Sequence, residues 1–402
     1  MTSTASLFSS DEVDLPRLRE RAYGMRWATH PHDVIPLTAA EPDFAIATPI
    51  RDAVKDYLDG GLLSYAPAQG LPEFRAAAAT MLTQRRGLRS EPDRIFATDG
   101  VASAMHLVAR LVLGSGDEVI IFDPVDFLFK RCVEAAGGRV LHCPIDTSSG
   151  ALDLDALHRI VTDRTRMIAI CNPLNPVGRV LSHAELEILG TFAVEHGLWL
   201  MADEVWSDIV YAPRRHISIA TLSPEIAART LTLMGTSKSF GLSGVRAGFI
   251  HAPSADMVER LAELSGARVT AYGVSTLAQV AAVAAWTEGH AWLQDFLRHL
   301  ERMRDLLVEG LNAIEGVSCR CPEGTYVAFV DVRGLGLDAE VFTEELLRKA
   351  RVAVVPGTPR WFGPGARGHV RMCFATSHAI LGEALERIHE TVQTLGRPHA
   401  ST

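Results

Sequence analysis

The chain lacks the features that mark membrane, secreted and nucleic-acid-binding proteins. No apolar run in its 402 residues approaches the roughly 18–20 that span a membrane. Its first six residues carry neither a basic region nor an apolar core, so no signal peptide is predicted. The net charge of −9 argues against a nucleic-acid surface. We therefore expect a cytoplasmic protein with no membrane or nucleic-acid partner.

Metal-ligand patterns and disulfide patterns are also missing. The six cysteines are scattered and several lie within apolar runs, as is typical of reduced, buried thiols in a cytoplasmic protein. Cys319 and Cys321 have no neighbouring Cys or His pair that would complete four ligands. No two histidines have the spacing of a zinc-binding helix. We expect no metal site.

What the chain does contain is a large apolar fraction, 48%, which is enough for a sizeable core. Short apolar strands alternate with helical patterns, which predicts an α/β protein of two domains. A long helical region near residues 274–314 is expected to link them. We predict a large domain over residues 46–285, a smaller α/β domain over 286–402, and an N-terminal segment, 1–45, that packs with the smaller domain.

The most informative stretch is Gly-Thr-Ser-Lys-Ser-Phe-Gly-Leu-Ser-Gly-Val-Arg at residues 235–246. Small neighbours let a planar group approach Lys238, and hydroxyls with Arg246 suit a phosphate dianion. Repulsion from Arg246 is expected to lower the lysine pKa and favour the neutral amine that forms a Schiff base. Taken alone, the stretch fits a solvated Ser/Gly-rich loop equally well.

Two predicted strands upstream end in polar side chains. Residues 167–171 lead into a Pro/Gly-rich turn that contains Asn175, and residues 198–202 run directly into Asp203. Ligands bind at the carboxyl ends of parallel strands, so an amide, a carboxylate and Lys238 are expected at one sheet edge. Pyridoxal phosphate (PLP) needs a carboxylate at its ring nitrogen, a donor to its phenolic oxygen and an imine-forming lysine.

With these motifs in place, nearly the whole chain resembles the fold-type I PLP enzymes of the class I/II aminotransferase family. The resemblance implies a large PLP-binding domain whose mostly parallel sheet is covered by helices. It implies Lys238 as Schiff-base lysine and general base, Asp203 as the partner of the pyridine nitrogen, and Asn175 as the partner of the ring hydroxyl oxygen. The phosphate is expected at two groups of residues. These are Gly100, Val101 and Ala102, where a predicted helix begins, and Thr236, Ser237 and Arg246, around the lysine.

The same resemblance implies the substrate contacts and a partner. Arg371 matches the arginine that pairs with a substrate α-carboxylate, and Ala40 and Asn175 are expected beside the substrate, a small amino acid. Tyr65 matches a tyrosine that reaches the phosphate across a dimer interface, which implies a homodimer. No second arginine is identifiable for a distal carboxylate.

Several positions depart from the family pattern or stand outside it. Trp206 replaces a tyrosine that donates to the phenolic oxygen, and an indole cannot act as an acid or base. Phe127 is the expected counterpart of the ring-stacking aromatic residue but has no hydroxyl. Asp126 and Asp208 are candidates for unusual substrate contacts. His216 matches a His-Ile/Val-Pro pattern found in one branch of the family.

Three stretches resemble the cystathionine β-lyase-like branch most closely: residues 37–44, residues 216–219 with 222–230, and residues 361–365. They predict carbon–sulfur β-elimination from a cysteine-type amino acid, with release of pyruvate and ammonia. The alternatives are an aminotransferase that uses a 2-oxo acid, a γ-replacement or cyclisation enzyme, and a regulatory protein that binds PLP.

Overall fold

The computed structural model describes Phe8 and residues 13–269 and 273–395. The α-helices are α1 (Leu15–Arg21), α2 (Thr48–Asp59), α3 (Pro72–Arg86), α4 (Val101–Val112), α5 (Phe127–Ala135), α6 (Asp155–Ile160), α7 (His183–Glu195), α8 (Pro224–Ala227), α9 (Ala255–Leu264), α10 (Thr276–Glu288), α11 (His290–Asn312), α12 (Ala339–Glu345) and α13 (His378–Leu395). The strands are β1 (Ile35–Pro36), β2 (Ile95–Thr98), β3 (Glu118–Asp123), β4 (Arg139–Pro144), β5 (Thr165–Cys171), β6 (Trp199–Asp203), β7 (Thr230–Gly235), β8 (Gly248–His251), β9 (Ser318–Cys319), β10 (Val327–Asp331), β11 (Val352–Ala353), β12 (Val355–Pro356) and β13 (His369–Cys373).

The largest sheet has seven strands in the order β2-β8-β7-β6-β5-β3-β4. The neighbours from β4 through β7 run parallel, and β8 is antiparallel to both β7 and β2. Every residue of β7 is buried, as expected for a parallel strand covered on both faces. The predicted α/β fold with a mostly parallel sheet is therefore confirmed.

Local sequence signals set the ends of several helices. Ser182 and Glu185 form a capping box, in which each side chain accepts a hydrogen bond from the other residue's backbone N–H, and α7 begins there. Pro72 occupies the first position of α3, where its missing N–H has no cost. These signals set where α3 and α7 begin.

A second sheet is antiparallel, in the order β12-β13-β10-β9, and a separate parallel pair joins β1 to β11. Helix α10 packs against α2 and α3, whereas α11 packs against α13. The β1–β11 pair ties the N-terminal segment to the C-terminal part of the chain, as expected if residues 1–45 accompany a small domain. The boundaries at residues 45 and 285 stay a prediction.

A buried ion pair fixes the N-terminal segment. The Arg26 guanidinium contacts Asp43, and both side chains are almost fully buried. Trp27 Nε1 donates to the same carboxylate at 2.8 Å, and Asp43 N donates to Ala375 O at 3.0 Å. Arg26 also donates to Pro36 O at 2.7 Å. These contacts hold residues 36–43 in one conformation against the second sheet.

The carboxyl ends of three adjacent strands face this segment. β5, β6 and β7 end at Cys171, Asp203 and Gly235, and their loops carry the polar residues singled out in the sequence. Within the described ranges, no helix is long and apolar enough to cross a bilayer. In the same ranges, no three or more His, Cys, Asp or Glu side chains are grouped as a metal site would need.

Candidate active site

A cavity of about 350 Å³ lies at the carboxyl edge of the large sheet. Most of the residues predicted for the site line it: Ala40, Val101, Ala102, Phe127, Asn175, Asp203, Trp206, Ser237, Lys238, Arg246 and Arg371. The other three predicted residues, Gly100, Thr236 and Tyr65, are not among the lining residues. The structure thus brings together groups from six separate segments of the chain and, through Arg371, from the second sheet.

Lys238 follows β7 and points at the N-terminal segment. Its Nζ donates to Ala40 O at 2.8 Å and lies 5.2 Å from the Trp206 ring centroid. Burial lowers the pKa of Lys238, and Arg371 lowers it further, whereas Glu41 opposes the shift. The direction agrees with the sequence-based expectation, but the main cause is burial rather than repulsion from Arg246.

Asp203 ends β6 and is almost fully buried, with Oδ1 accepting a hydrogen bond from Val205 N at 3.1 Å. Burial raises the pKa of this carboxyl to about 7, and the hydrogen bond from Val205 only partly offsets that effect. A carboxylate at this position therefore needs a cationic partner if it is to be fully ionised at neutral pH.

A cluster of donors surrounds the start of α4. Gly100 is the N-cap residue at φ +115°, and a Cβ there would lie 2.7 Å from Arg246 Nη2. The first N–H groups of α4, at Val101 and Ala102, have no partner within the helix. The Arg246 guanidinium and the N–H groups at the start of α4 together suit an anion. Thr236 Oγ1 is buried and has no hydrogen-bond partner among the residues that the structure describes.

Arg371, on β13, enters the cavity from the second sheet. Its guanidinium donates to Asn175 Oδ1 at 3.4 Å and to Thr38 O at 3.1 Å, and its Nε is buried without a partner. Asp126 Oδ2 lies 3.9 Å from Arg371 Nη1 and accepts a hydrogen bond from Asn175 Nδ2 at 3.1 Å. Amide, guanidinium and carboxylate thus form one network on a cavity wall.

The aromatic residues divide into two groups. Trp206 is buried and packs edge-on against Tyr326, with ring centroids 4.6 Å apart. Phe127 packs edge-on against Trp361 at 5.5 Å. Tyr326 was not predicted as a site residue, yet its hydroxyl donates to Ala40 O at 3.1 Å, beside Lys238 Nζ on the same oxygen. Tyr326 directly precedes β10, and no local sequence pattern signals this contact.

Two further candidates lie outside the cavity lining. His216 Nε2 is 3.0 Å from Glu204 Oε2, and both side chains are buried. His216 therefore positions the residue next to Asp203 and does not face the cavity. Asp208 contacts Arg86 and accepts a hydrogen bond from Ser239 Oγ at 2.7 Å, so the structure does not place it where a substrate contact is expected.

Comparison with known proteins identifies the family. The profile described as "Aminotransferase class I and II" matches residues 32–388. The chain belongs to this family. It is 33% identical to an aspartate aminotransferase of Pyrococcus abyssi, over 96% of this chain and 98% of that protein. It is therefore a PLP-dependent enzyme of the fold-type I class.

Solved structures agree with this assignment. The crystal structure of an aromatic aminotransferase from Pyrococcus horikoshii OT3 is similar, with a TM-score of 0.85 and 35% identity, covering 90% of this chain and 96% of that one. A PLP-bound putative aminotransferase from Clostridium difficile 630 has a TM-score of 0.86 and 27% identity, covering 93% and 97%. Both are similar across almost the whole chain.

The residues of this enzyme fit PLP. The orphaned hydroxyl of Thr236 and the donors around the start of α4 suit a phosphate dianion. The buried Asp203 carboxyl suits a protonated pyridine nitrogen, because an adjacent cation would favour its ionised form. Lys238, with its lowered pKa, is the amine of the cavity.

We predict that Gly100→Ala weakens PLP binding by at least about tenfold, because the added Cβ would displace the Arg246 guanidinium from the start of α4. Gly87→Ala is the matched control: Gly87 also has positive φ, but a Cβ there meets nothing within 4 Å. Equilibrium dialysis against PLP measures both variants. Equal affinity of the two variants would contradict an anion site at Gly100.

A second prediction concerns pH and the cofactor-free protein. The pKa of Asp203 rises from an ordinary value of 3.8 to about 7 on folding, so the folded state holds the proton more tightly. The contribution of this group to stability is complete below about pH 4 and is lost as the pH rises to about 7, at up to about 1.4 kcal/mol per pH unit. Urea unfolding at several pH values should show that the free energy of unfolding falls more steeply with rising pH for wild type than for Asp203→Asn. Parallel pH profiles of the two proteins would refute this prediction.

Proposed function

We propose that the protein is an aminotransferase that passes the amino group of an amino-acid donor to a 2-oxo acid. The observation that supports this most is the meeting of Lys238, Asp203 and Arg371 in one cavity of a chain that is 33% identical to an aspartate aminotransferase. The roles given to individual residues below are part of the proposal.

PLP, when bound, supplies an electron sink for the electron pair released when the substrate Cα–H bond breaks. Lys238 Nζ is the group we assign to move that proton, because its lowered pKa favours the neutral amine that a general base requires. The carbonyl of Ala40, 2.8 Å away, orients the amine. Tyr326 holds the same carbonyl in place through its own hydrogen bond.

Arg371 is assigned to the substrate α-carboxylate. Its buried Nε lacks a hydrogen-bond partner, so a bidentate carboxylate would satisfy a donor that is otherwise unpaired. Asn175 holds the guanidinium from one side at 3.4 Å. Asp203 is assigned to the ring nitrogen, where an ionised carboxylate would favour the protonated ring.

Trp206 limits how protons move in this cavity. Its indole carries no acidic or basic group near neutral pH, so it cannot replace a tyrosine in proton transfer. Its ring face lies 5.2 Å from Lys238 Nζ, where it favours the protonated form of the amine after proton transfer. Of Lys238 and Trp206, only Lys238 can therefore transfer the proton.

The carbon–sulfur lyase reaction, favoured by short stretches of sequence, is the weaker of the two main hypotheses. The relatives described above at 33% and 35% identity are named as an aspartate aminotransferase and an aromatic aminotransferase. No observation in the structure favours γ-replacement, cyclisation or a regulatory role. A lyase would release pyruvate and ammonia with no 2-oxo acid present, which makes the two reactions easy to separate.

We predict that the holoenzyme, given an amino acid donor alone, forms at most about one equivalent of the donor's oxo acid per active site. Continued turnover should require an added 2-oxo acid, because the amino group must leave before a second donor reacts. Oxo-acid formation is followed by chromatography over a panel of donors.

The controls are two lysine substitutions. Lys238→Ala should abolish oxo-acid formation. Lys349→Ala should retain it, because Lys349 pairs with Glu345 and neither residue lines the cavity. Many equivalents of pyruvate and ammonia formed without an acceptor would exclude the aminotransferase proposal in favour of the lyase.

We further propose a homodimer with Tyr65 at its interface. Tyr65 is 80% exposed, and its neighbours Leu62 and Leu63 are also exposed, which is unusual for consecutive apolar side chains. A surface depression of about 750 Å³ lies between this segment and residues 273–277. A second copy of the chain would cover these residues.

Light scattering during gel filtration tests the dimer. Wild type should elute at twice the mass of one chain, and a Leu62→Ser/Tyr65→Ser double variant should dissociate at lower concentration because it loses apolar interface area. Ile188→Ser, another exposed apolar position, is the control. A monomeric wild type with full PLP affinity would contradict the proposal.

The cytoplasm is the location we propose. All six cysteines are unpaired, and five of them are buried, which agrees with reduced thiols that have no structural disulfide partner.

A further inference from the structure

Charged side chains of both signs line the cavity: the carboxylates of Glu41, Asp126 and Asp203, and the cations Lys238, Arg246 and Arg371. The proposed function gives most of them a partner. Asp203, Lys238 and Arg246 serve the cofactor, and Arg371 serves the substrate carboxylate. Glu41 accepts a hydrogen bond from Ser243 Oγ at 2.6 Å. Asp126 is left without a cation of its own once substrate is bound.

Asp126 is held firmly in the cavity wall. It is the N-cap residue of α5, with Oδ1 accepting from Leu128 N at 3.2 Å. Its other oxygen, Oδ2, accepts from Asn175 Nδ2 at 3.1 Å and lies 3.9 Å from Arg371 Nη1. The carboxylate therefore lies close to the guanidinium that we assign to the substrate carboxylate.

A substrate carboxylate on Arg371 would bring a second negative charge close to Asp126. The two carboxylates would then share the single positive charge of Arg371 and would still repel each other. The repulsion is removed if the substrate also carries a positive charge that reaches Asp126. Zwitterionic donors with an apolar or acidic side chain provide no such charge, because their α-amino group is engaged at the cofactor.

We propose that Asp126 selects donors with an ammonium group on a short side chain. The proposal rests on the assignment of Arg371 to the α-carboxylate. It adds a specificity-determining residue and a substrate class, the basic α-amino acids, to the proposed function. The ammonium group replaces Arg371 as the ionic partner of Asp126 while the α-carboxylate occupies the guanidinium.

A neighbouring cavity limits the length of the side chain. This cavity, of about 260 Å³, shares Asp126, Phe127 and Phe362 with the first. Its other lining residues include the cations Lys130, Arg131 and Arg360, with Glu134 as an ion-pair partner of Lys130 at 3.7 Å. An ammonium group that passed Asp126 would meet this excess of like charge, so a short side chain fits better than a long one.

Calorimetric titration of the holoenzyme with 2-methylornithine and 2-methylnorvaline tests the proposal. The two probes have nearly the same length and differ in the terminal ammonium group. Neither has a Cα hydrogen, so binding is measured without turnover, and failure of the aminotransferase assay would not affect this result. We expect 2-methylornithine to bind at least about 30-fold more tightly, as a charge-assisted hydrogen bond provides. 2-Methyllysine should bind more weakly than 2-methylornithine.

Two variants identify the residue responsible. Asp126→Asn keeps an N-cap side chain for α5 and should reduce the preference to below about threefold, mainly by weakening 2-methylornithine. Glu134→Gln removes a carboxylate from the same helix outside the first cavity and should keep the preference. Thermal melting of each variant verifies that it is folded.

Three outcomes would overturn the proposal. The first is equal affinity of wild type for 2-methylornithine and 2-methylnorvaline. The second is a folded Asp126→Asn variant that retains the full preference. The third, tighter binding of 2-methyllysine than of 2-methylornithine, would contradict the length limit.

Discussion

The burial of one carboxyl group, at the end of a central strand, is the constraint on which the site depends. Asp203 ends β6, which lies between the parallel strands β5 and β7, so its side chain is remote from water. Burial raises its pKa to about 7, so the carboxyl is only partly ionised at neutral pH unless a cation lies beside it. In the proposed site a protonated pyridine ring would be that cation, and the carboxylate would in turn keep the ring protonated.

The other site residues follow from where neighbouring strands end. β5 leads to Asn175 and β7 leads to Lys238, so adjacent strands deliver both groups to the same edge. The second sheet adds Arg371 from β13. The buried Arg26–Asp43 pair fixes the segment that carries the Ala40 carbonyl against Lys238. The cavity is thus a product of strand order and of one long-range ion pair.

Sequence alone could predict the groups that depend on local pattern. Asp203 and Asn175 each follow a short apolar strand, and Lys238 lies among small residues, so their meeting at one edge follows from the rules of parallel sheets. The contact of Lys238 with Ala40 joins residues 198 positions apart, and that of Tyr326 with Ala40 joins residues 286 apart. No local pattern encodes such contacts.

Electrostatic causes and the reaction branch were also beyond the sequence. Arg246 is close to Lys238 along the chain, but its guanidinium lies at Gly100, and burial dominates the lysine pKa instead. The lyase prediction came from short stretches that resemble one branch of the family, and such resemblance does not show where protons are transferred. The sequence indicated Asp126 as a possible substrate contact. Its proximity to Arg371 depends on how the start of α5 lies relative to β13, which the sequence does not show.

The central claim is that Lys238 holds the cofactor covalently beside Asp203. The chain has four lysines, at positions 55, 130, 238 and 349, so the attachment point can be read without ambiguity. Holoenzyme reduced with borohydride and digested should carry the reduced PLP group on the peptide that contains Lys238. Modification of another lysine, or a fully active holoenzyme with unmodified Lys238 after reduction, would contradict the account.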